Sequence, residues 1–143
     1  MDMASTEQNQ PVEIGRNPWG VVLHHPAWRT LELRWLPVDL TDADFKETLE
    51  LFAELGEQHH PHCMIIDAAD FHHEFGPGVM EWRDEKIIPR YGAAGVQKFA
   101  FLVKPDLPGT VEAGAQPRVE GSASFPTGWF STRERAYRWL ADK

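Results

Sequence analysis

The sequence contains a single cysteine, Cys63, among its 143 residues. One cysteine cannot form an internal disulfide, so a disulfide-stapled scaffold is excluded. The chain also lacks any run of about 18 uncharged apolar residues, and residues 1–17 lack the basic and apolar segments of a signal peptide. We therefore expect a soluble protein of the cytoplasm without integral membrane association.

Basic side chains are scarce as well: the chain carries 14 lysines and arginines against 22 aspartates and glutamates, for a formal charge of −8. Nucleic-acid binding depends largely on cations that face phosphates, so a chain of this charge meets net repulsion. We predict that nucleic acid is not a partner. The length suits one domain whose core needs neither a disulfide nor a metal for stability.

Apolar runs near the start of the chain predict two strands joined by a turn. Residues 19–24 are apolar and β-branched, and residues 30–36 alternate between apolar and charged side chains. This alternation predicts that Glu32 and Arg34 lie on a solvent-exposed face of the second strand. Residues 1–17 are polar and show no apolar period, so they are expected to form a flexible N-terminal tail.

The segment that follows carries the signals of an amphipathic helix. Thr41 is placed to cap the helix by accepting a hydrogen bond from the amide near Asp44, and Phe45 begins an apolar stripe at helical spacing. Gly56 is expected to end this helix.

Two continuous apolar runs, CMIID and KFAFLV, predict strands that are covered on both faces at the centre of a sheet. A helix between them is expected to be ended or bent by Pro89. After a loop rich in Pro, Gly and Ala, SFPTGWF predicts a short edge strand. Ser131 is then expected to cap a C-terminal helix whose arginines, Arg133 among them, form a solvated basic face.

The order of these elements predicts an α/β fold in a single domain over residues 18–143. Helices that alternate with doubly buried strands indicate a mostly parallel, five-stranded mixed sheet, with an N-terminal antiparallel hairpin and helices packed on it. The crevice at the C-terminal ends of the parallel strands is the favoured place for a ligand in such a sheet.

Several packing patterns carry a family resemblance: the buried strand MIID followed by AADF, the helix segment MEW, the strand KFAFLV, and the closing FSTRERAYRWL. With these pieces the chain resembles the SpoIIAA-like family, small domains related in fold to the STAS anti-sigma-factor antagonists and to CRAL-TRIO-type lipid-binding modules. The resemblance implies a SpoIIAA-like, STAS-like fold and a non-enzymatic module, and it carries no catalytic signature.

Regulatory STAS antagonists look like phosphorylation switches, with a Ser or Thr at the start of the helix after the central strand. In this sequence no Ser or Thr occurs between Thr48 and Thr110. The position where such a phosphate would sit therefore has no hydroxyl to carry it, and we expect no phosphoserine switch.

The segment after the central strand is the predicted binding site. Its acidic, imidazole and aromatic side chains are expected to hold a small apolar or amphipathic ligand, or a protein partner, without a cofactor. The predicted ligand-binding residues are Asp67, Asp70, Phe71, His72, His73, Trp82 and Tyr91. The competing interpretation is that Trp82 and most of the aromatic residues belong to the core.

Two alternatives stay open. A cofactor-independent enzyme would use Asp67 or Asp70 with His72 or His73 as an acid–base pair, although an aspartate at a strand end commonly caps the following loop instead. A metal-binding protein would use the opposite rim of the sheet, where His24, His59, His60 and His62 are expected, with His25 and Cys63 nearby.

A homodimer is a further hypothesis. An open sheet leaves an exposed edge, and the strand near Trp129 is predicted to be that edge.

Overall fold

Seven strands form one mixed sheet in the computed structural model, which describes residues 10–142. The strands are β1 (Val12–Asn17), β2 (Gly20–His25), β3 (Thr30–Trp35), β4 (Cys63–Asp67), β5 (Lys98–Leu102), β6 (Arg118–Val119) and β7 (Pro126–Phe130). Their order in the sheet is β1-β2-β3-β4-β5-β7-β6. Strands β3, β4, β5 and β7 run parallel, whereas β1, β2 and β6 join by antiparallel pairings. The α/β class is confirmed, but five strands and a mostly parallel sheet were wrong expectations.

Four α-helices pack on this sheet: α1 (Asp42–His59), α2 (Val79–Trp82), α3 (Ile88–Ala93) and α4 (Arg133–Ala141). One π-helical turn, Arg83–Ile87, joins α2 to α3, and short 3₁₀ turns occur at Pro26–Trp28 and Val111–Ala113. In the described part of the chain, none of the helices has the length and apolar character needed to cross a membrane.

Strand β1 lies within the segment that was expected to be a tail, so the tail prediction is wrong for residues 12–17. The pairing of β1 with β2 shifts between Glu13 and Gly15, which places a bulge at Ile14. A bulge interrupts the two-residue alternation by which a strand is recognised in a sequence. The rest of the predicted tail, residues 1–9, lies outside the described residues.

The far edge of the sheet is β6, which has only two residues and lies in the segment expected to be a loop. Strand β7, which carries Trp129, pairs with β5 on one side and β6 on the other. The hypothesis of a homodimer through an open edge at Trp129 therefore loses its premise, because β7 is not an edge strand.

Helix α1 begins as predicted. The Thr41 hydroxyl accepts a hydrogen bond from the Asp44 amide at 3.1 Å, and the Asp44 carboxylate accepts one from the Thr41 amide at 2.9 Å. Its predicted end at Gly56 is wrong, because the helix continues to His59 and closes at His60, which has a φ of 49°. Gly56 serves packing: a Cβ there would lie 2.6 Å from the Met64 Cε.

The π-helical turn follows from Pro89. Proline has no N–H and its ring clashes with the carbonyl four residues earlier, so the regular ladder cannot continue through it. The Ile88 amide instead donates to the Arg83 carbonyl, five residues back. This confirms the predicted bend at Pro89.

The sheet has two differently covered faces. We call the side packed against α1, α2, the π turn and α3 the aromatic face; it receives Leu31, Leu33 and Trp35 from β3. We call the side packed against α4 the charged face; it receives Glu32 from the same strand, because successive side chains of a strand point to opposite sides.

Candidate ligand cavity

A cavity of about 170 Å³ lies on the aromatic face, between the sheet and the helices that cover it. Its wall is almost entirely apolar. For scale, an engineered apolar cavity of about 150 Å³ binds benzene. The lining residues are Trp35, Phe45, Leu49, Ile66, Ala68, Phe71, Phe75, Met80, Arg83, Ile88, Tyr91, Phe99, Phe101, Phe125, Thr127 and Trp129.

Aromatic rings supply two walls of this cavity. On one side Trp35 stacks on Phe45 with ring centroids 5.5 Å apart, and Phe71 lies 4.8 Å from Trp35. On the other side Phe101 stacks on Trp129 at 4.2 Å with the ring planes 11° apart. The rings are held by strands and by one another, so the cavity has a firm outline rather than a collapsible one.

Tyr91 places one polar atom at this apolar wall. The side chain is 2% exposed, and its hydroxyl has no hydrogen-bond partner within the described residues. Burial raises the pKa of Tyr91 far above its ordinary value, so the phenol stays protonated and remains a donor. A buried hydroxyl without a partner is unusual in folded proteins and costs free energy.

Helix α3 is fixed over the cavity from outside. Arg90 donates to Glu57 at 2.8 Å and to Glu50 at 2.5 Å, which ties α3 to α1. Its chain neighbour Tyr91 faces inward and contacts the ring of Phe99 at 5.1 Å.

Arg83 is the one charged residue among the described residues that line the cavity. It donates to the Asp84 carboxylate at 3.2 Å, and 28% of its side chain is exposed. Arg83 and Asp84 also border a neighbouring recess of about 190 Å³ that contains Glu120 and Trp129. The apolar cavity therefore adjoins a more polar recess at the protein surface.

The π turn also anchors the segment that borders this recess. Since the Ile88 amide bonds the Arg83 carbonyl, the Asp84 carbonyl is released from the helical ladder. It accepts a hydrogen bond from the Ser122 hydroxyl at 2.7 Å. The Trp129 indole N–H lies 3.4 Å from the Glu120 carboxylate, a second link in the same region.

The charged face carries a network that the sequence did not reveal. The Glu32 carboxylate has no exposed surface and accepts hydrogen bonds from the His25 imidazole, the Arg34 and Arg133 guanidinium groups and the Tyr137 hydroxyl, at 2.6–2.7 Å. Burial by itself would raise the pKa of Glu32, but the four hydrogen bonds outweigh it and lower the pKa to about 2. The prediction of a solvent-exposed Glu32 is therefore wrong.

Arg133 extends this network to the end of the central strand, where its second nitrogen bonds the Asp67 carboxylate. The expected solvated basic face of the last helix is thus wrong for Arg133. The predicted cap is wrong too, because α4 starts after Thr132 with no side-chain cap, and the Ser131 amide donates to Glu112.

The predicted ligand-binding residues fall into separate places. Phe71 and Tyr91 line the cavity. Trp82 lies outside the lining, where the Lys46 ammonium sits 5.4 Å from its ring centroid. Asp67 is on the charged face, and Asp70 is exposed at the surface of the following loop.

The predicted acid–base pairs do not form. His73 bonds the Asp42 carboxylate at 2.7 Å, and this hydrogen bond lowers the pKa of Asp42. His72 lies 3.4 Å from the Asp70 backbone carbonyl rather than its carboxylate. Asp67 accepts a hydrogen bond from the Ala69 amide at 3.1 Å, as the capping interpretation predicted.

The histidine rim is assembled only in part. His24 and His59 have ring centroids 5.6 Å apart, but the His60 ring bonds the Ala94 carbonyl and the His62 ring accepts from Arg29. Across residues 10–142, no three His, Cys, Asp or Glu side chains are grouped closely enough to hold one ion. The buried Cys63 thiol lies against the Leu140 carbonyl, and burial raises its pKa.

Sequence reasoning missed the cavity wall formed by Trp35, Phe99 and Phe101. The signal was present, since these residues occupy alternate positions in two strands that were predicted correctly. What was absent was the knowledge of which face the helices with Phe71 and Tyr91 would cover.

Comparison with known proteins adds nothing to this geometry: the chain matches no protein-family model, no curated protein and no solved structure.

Proposed function

We propose that the chain is a non-enzymatic, SpoIIAA-like (STAS-like) α/β module that binds a small apolar or amphipathic ligand in the cavity of the aromatic face. The observation that carries the proposal is the cavity itself, about 170 Å³ of ring-lined space beside a buried hydroxyl with no partner in the described residues.

The energetics favour occupancy by an apolar group. Each buried CH₂ contributes about 0.8 kcal/mol when it leaves water, and a preformed wall costs little to organise. The aromatic stacks around Trp35 and Trp129 supply such a wall. The adjoining recess with Arg83 and Glu120 leaves room for a polar end, so an amphipathic ligand is accommodated as well.

Cumene is a suitable apolar probe, because it carries a benzene ring and a small alkyl group. We expect it to shift the amide and side-chain NMR signals of the cavity lining, and to raise the midpoint of thermal unfolding, in proportion to its concentration.

The matched variants are Ala68→Leu and Ala93→Leu. Ala68 lines the cavity, so the larger side chain fills it and should abolish cumene binding. Ala93 is exposed at the end of α3, and the same exchange there should leave binding unchanged. Equal cumene affinity in the wild type and Ala68→Leu, or no binding at all to the wild type, would refute the proposal.

A further inference from the structure

The chemistry of the cavity wall restricts the ligand beyond its apolar character. This inference rests on the proposed function, because it concerns the same cavity. Of its polar side chains, Tyr91 is fully enclosed and Arg83 is half-buried at the rim, while Thr127 belongs to β7.

The Tyr91 hydroxyl is a donor without an acceptor. The ring is fixed by Phe52 at 5.8 Å and Phe99 at 5.1 Å, and burial keeps the phenol neutral. The free energy of a buried donor improves when an acceptor oxygen reaches it, since the donor has already lost its contact with water.

A charged group is not favoured at the same place. Arg83 is already engaged with Asp84 at 3.2 Å, and Glu120 stands in the adjoining recess. A carboxylate placed among aromatic rings would lose its hydration without gaining a free cation.

We infer that the ligand is a neutral, ring-sized molecule that carries one acceptor oxygen, such as a carbonyl, and that this oxygen accepts a hydrogen bond from the Tyr91 hydroxyl.

Three probes of equal heavy-atom count test this inference: cumene, acetophenone and benzoate. The ketone differs from cumene by one acceptor oxygen, and benzoate adds a negative charge. Dissociation constants are measured by NMR titration on the wild type and on Tyr91→Phe, which removes only the hydroxyl oxygen.

We expect Tyr91→Phe to weaken acetophenone binding about threefold to tenfold, which corresponds to one ordinary hydrogen bond. Its affinity for cumene should stay equal or increase. Benzoate should bind the wild type at least about tenfold more weakly than acetophenone does, because the buried charge has no free partner.

Tyr137→Phe is the matched control. It removes the same atom from a tyrosine on the charged face, where the hydroxyl bonds Glu32 and Arg133. The ratio of acetophenone to cumene affinity should not change in this variant.

The outcomes separate the two proposals. If cumene fails to bind the wild type, the proposed function fails. If cumene binds and Tyr91→Phe changes both affinities equally, only the assignment of an acceptor oxygen to Tyr91 fails. Benzoate binding that is tighter than that of acetophenone and is lost in Arg83→Gln would overturn the inference in favour of an anionic ligand.

Discussion

On the charged face, the buried carboxylate of Glu32 accepts four hydrogen bonds, whereas on the aromatic face the buried hydroxyl of Tyr91 has no partner in the described residues. Both groups lie deep in the protein, so the difference is one of saturation rather than of depth. A saturated network has no free valence for a ligand and stabilises the fold. An unsaturated donor beside an open cavity is the arrangement that a ligand completes.

The largest expected effect comes from breaking the saturated network. Glu32→Gln leaves Arg34, Arg133 and His25 without their shared anion, and removing one partner of a buried ion pair costs about 3 kcal/mol or more. Urea unfolding at neutral pH measures the loss. Glu13→Gln is the control, since its pair with Arg16 is exposed and should change the free energy of unfolding by less than about 1 kcal/mol. Equal losses in both variants would contradict a structural role for the network.

The same carboxylate should give the protein a specific dependence on acid. Its pKa is lowered from 4.5 to about 2 on folding, so its stabilisation is complete above pH 4.5 and is lost as the pH falls toward 2. The shift corresponds to about 3 kcal/mol. Urea unfolding between pH 7 and pH 3 should show a steeper loss for the wild type than for Glu32→Gln; parallel slopes would show that Glu32 does not carry this dependence.

Asp67→Asn tests which face the end of the central strand serves. It weakens the bond to Arg133, and hydrogen bonds to charged groups contribute about 1.5–3 kcal/mol, so we expect a loss of about 2 kcal/mol. Cumene affinity should not change, because Asp67 lies on the opposite side of the sheet from the cavity. Asp70→Asn, at an exposed position, should alter neither quantity. Loss of cumene binding in Asp67→Asn alone would place Asp67 in the binding site after all.

The smallest expected effect has the opposite sign. Tyr91→Phe removes a buried donor that has no partner in the described residues, so it should raise the free energy of unfolding by about 1 kcal/mol. Urea unfolding without ligand measures this gain. Tyr137→Phe should lower stability, because its hydroxyl is fully engaged. Destabilisation of Tyr91→Phe by a similar amount would mean that its hydroxyl is already satisfied.

Much of the fold could be predicted because local patterns determine it. The alternation around Leu33, the Thr41 cap and the apolar run at Ile65 each report a local preference of the backbone or of burial. Strand β1 was missed because its bulge breaks the alternation, and β6 because two residues carry no periodic signal.

The site was less predictable because it depends on contacts between distant segments. Phe71 and Tyr91 were predicted from their place near the central strand, and both line the cavity. The burial of Glu32 depends on Arg133 and Tyr137, about a hundred residues further along the chain. A charged residue in a strand normally indicates solvent, and only the partners brought by the last helix reverse that expectation.

The π turn sets the rotation of the helical segment that carries Tyr91. In a regular α-helix each residue advances by about 100°, so Val79 and Tyr91, twelve positions apart, would point about 120° away from each other. A π turn takes up one extra residue, which reduces this angle to about 20°. Both side chains are in fact buried, each 2% exposed. The segment is therefore one residue longer than a straight helix would require, and the wide turn absorbs that residue so that Tyr91 still faces the sheet.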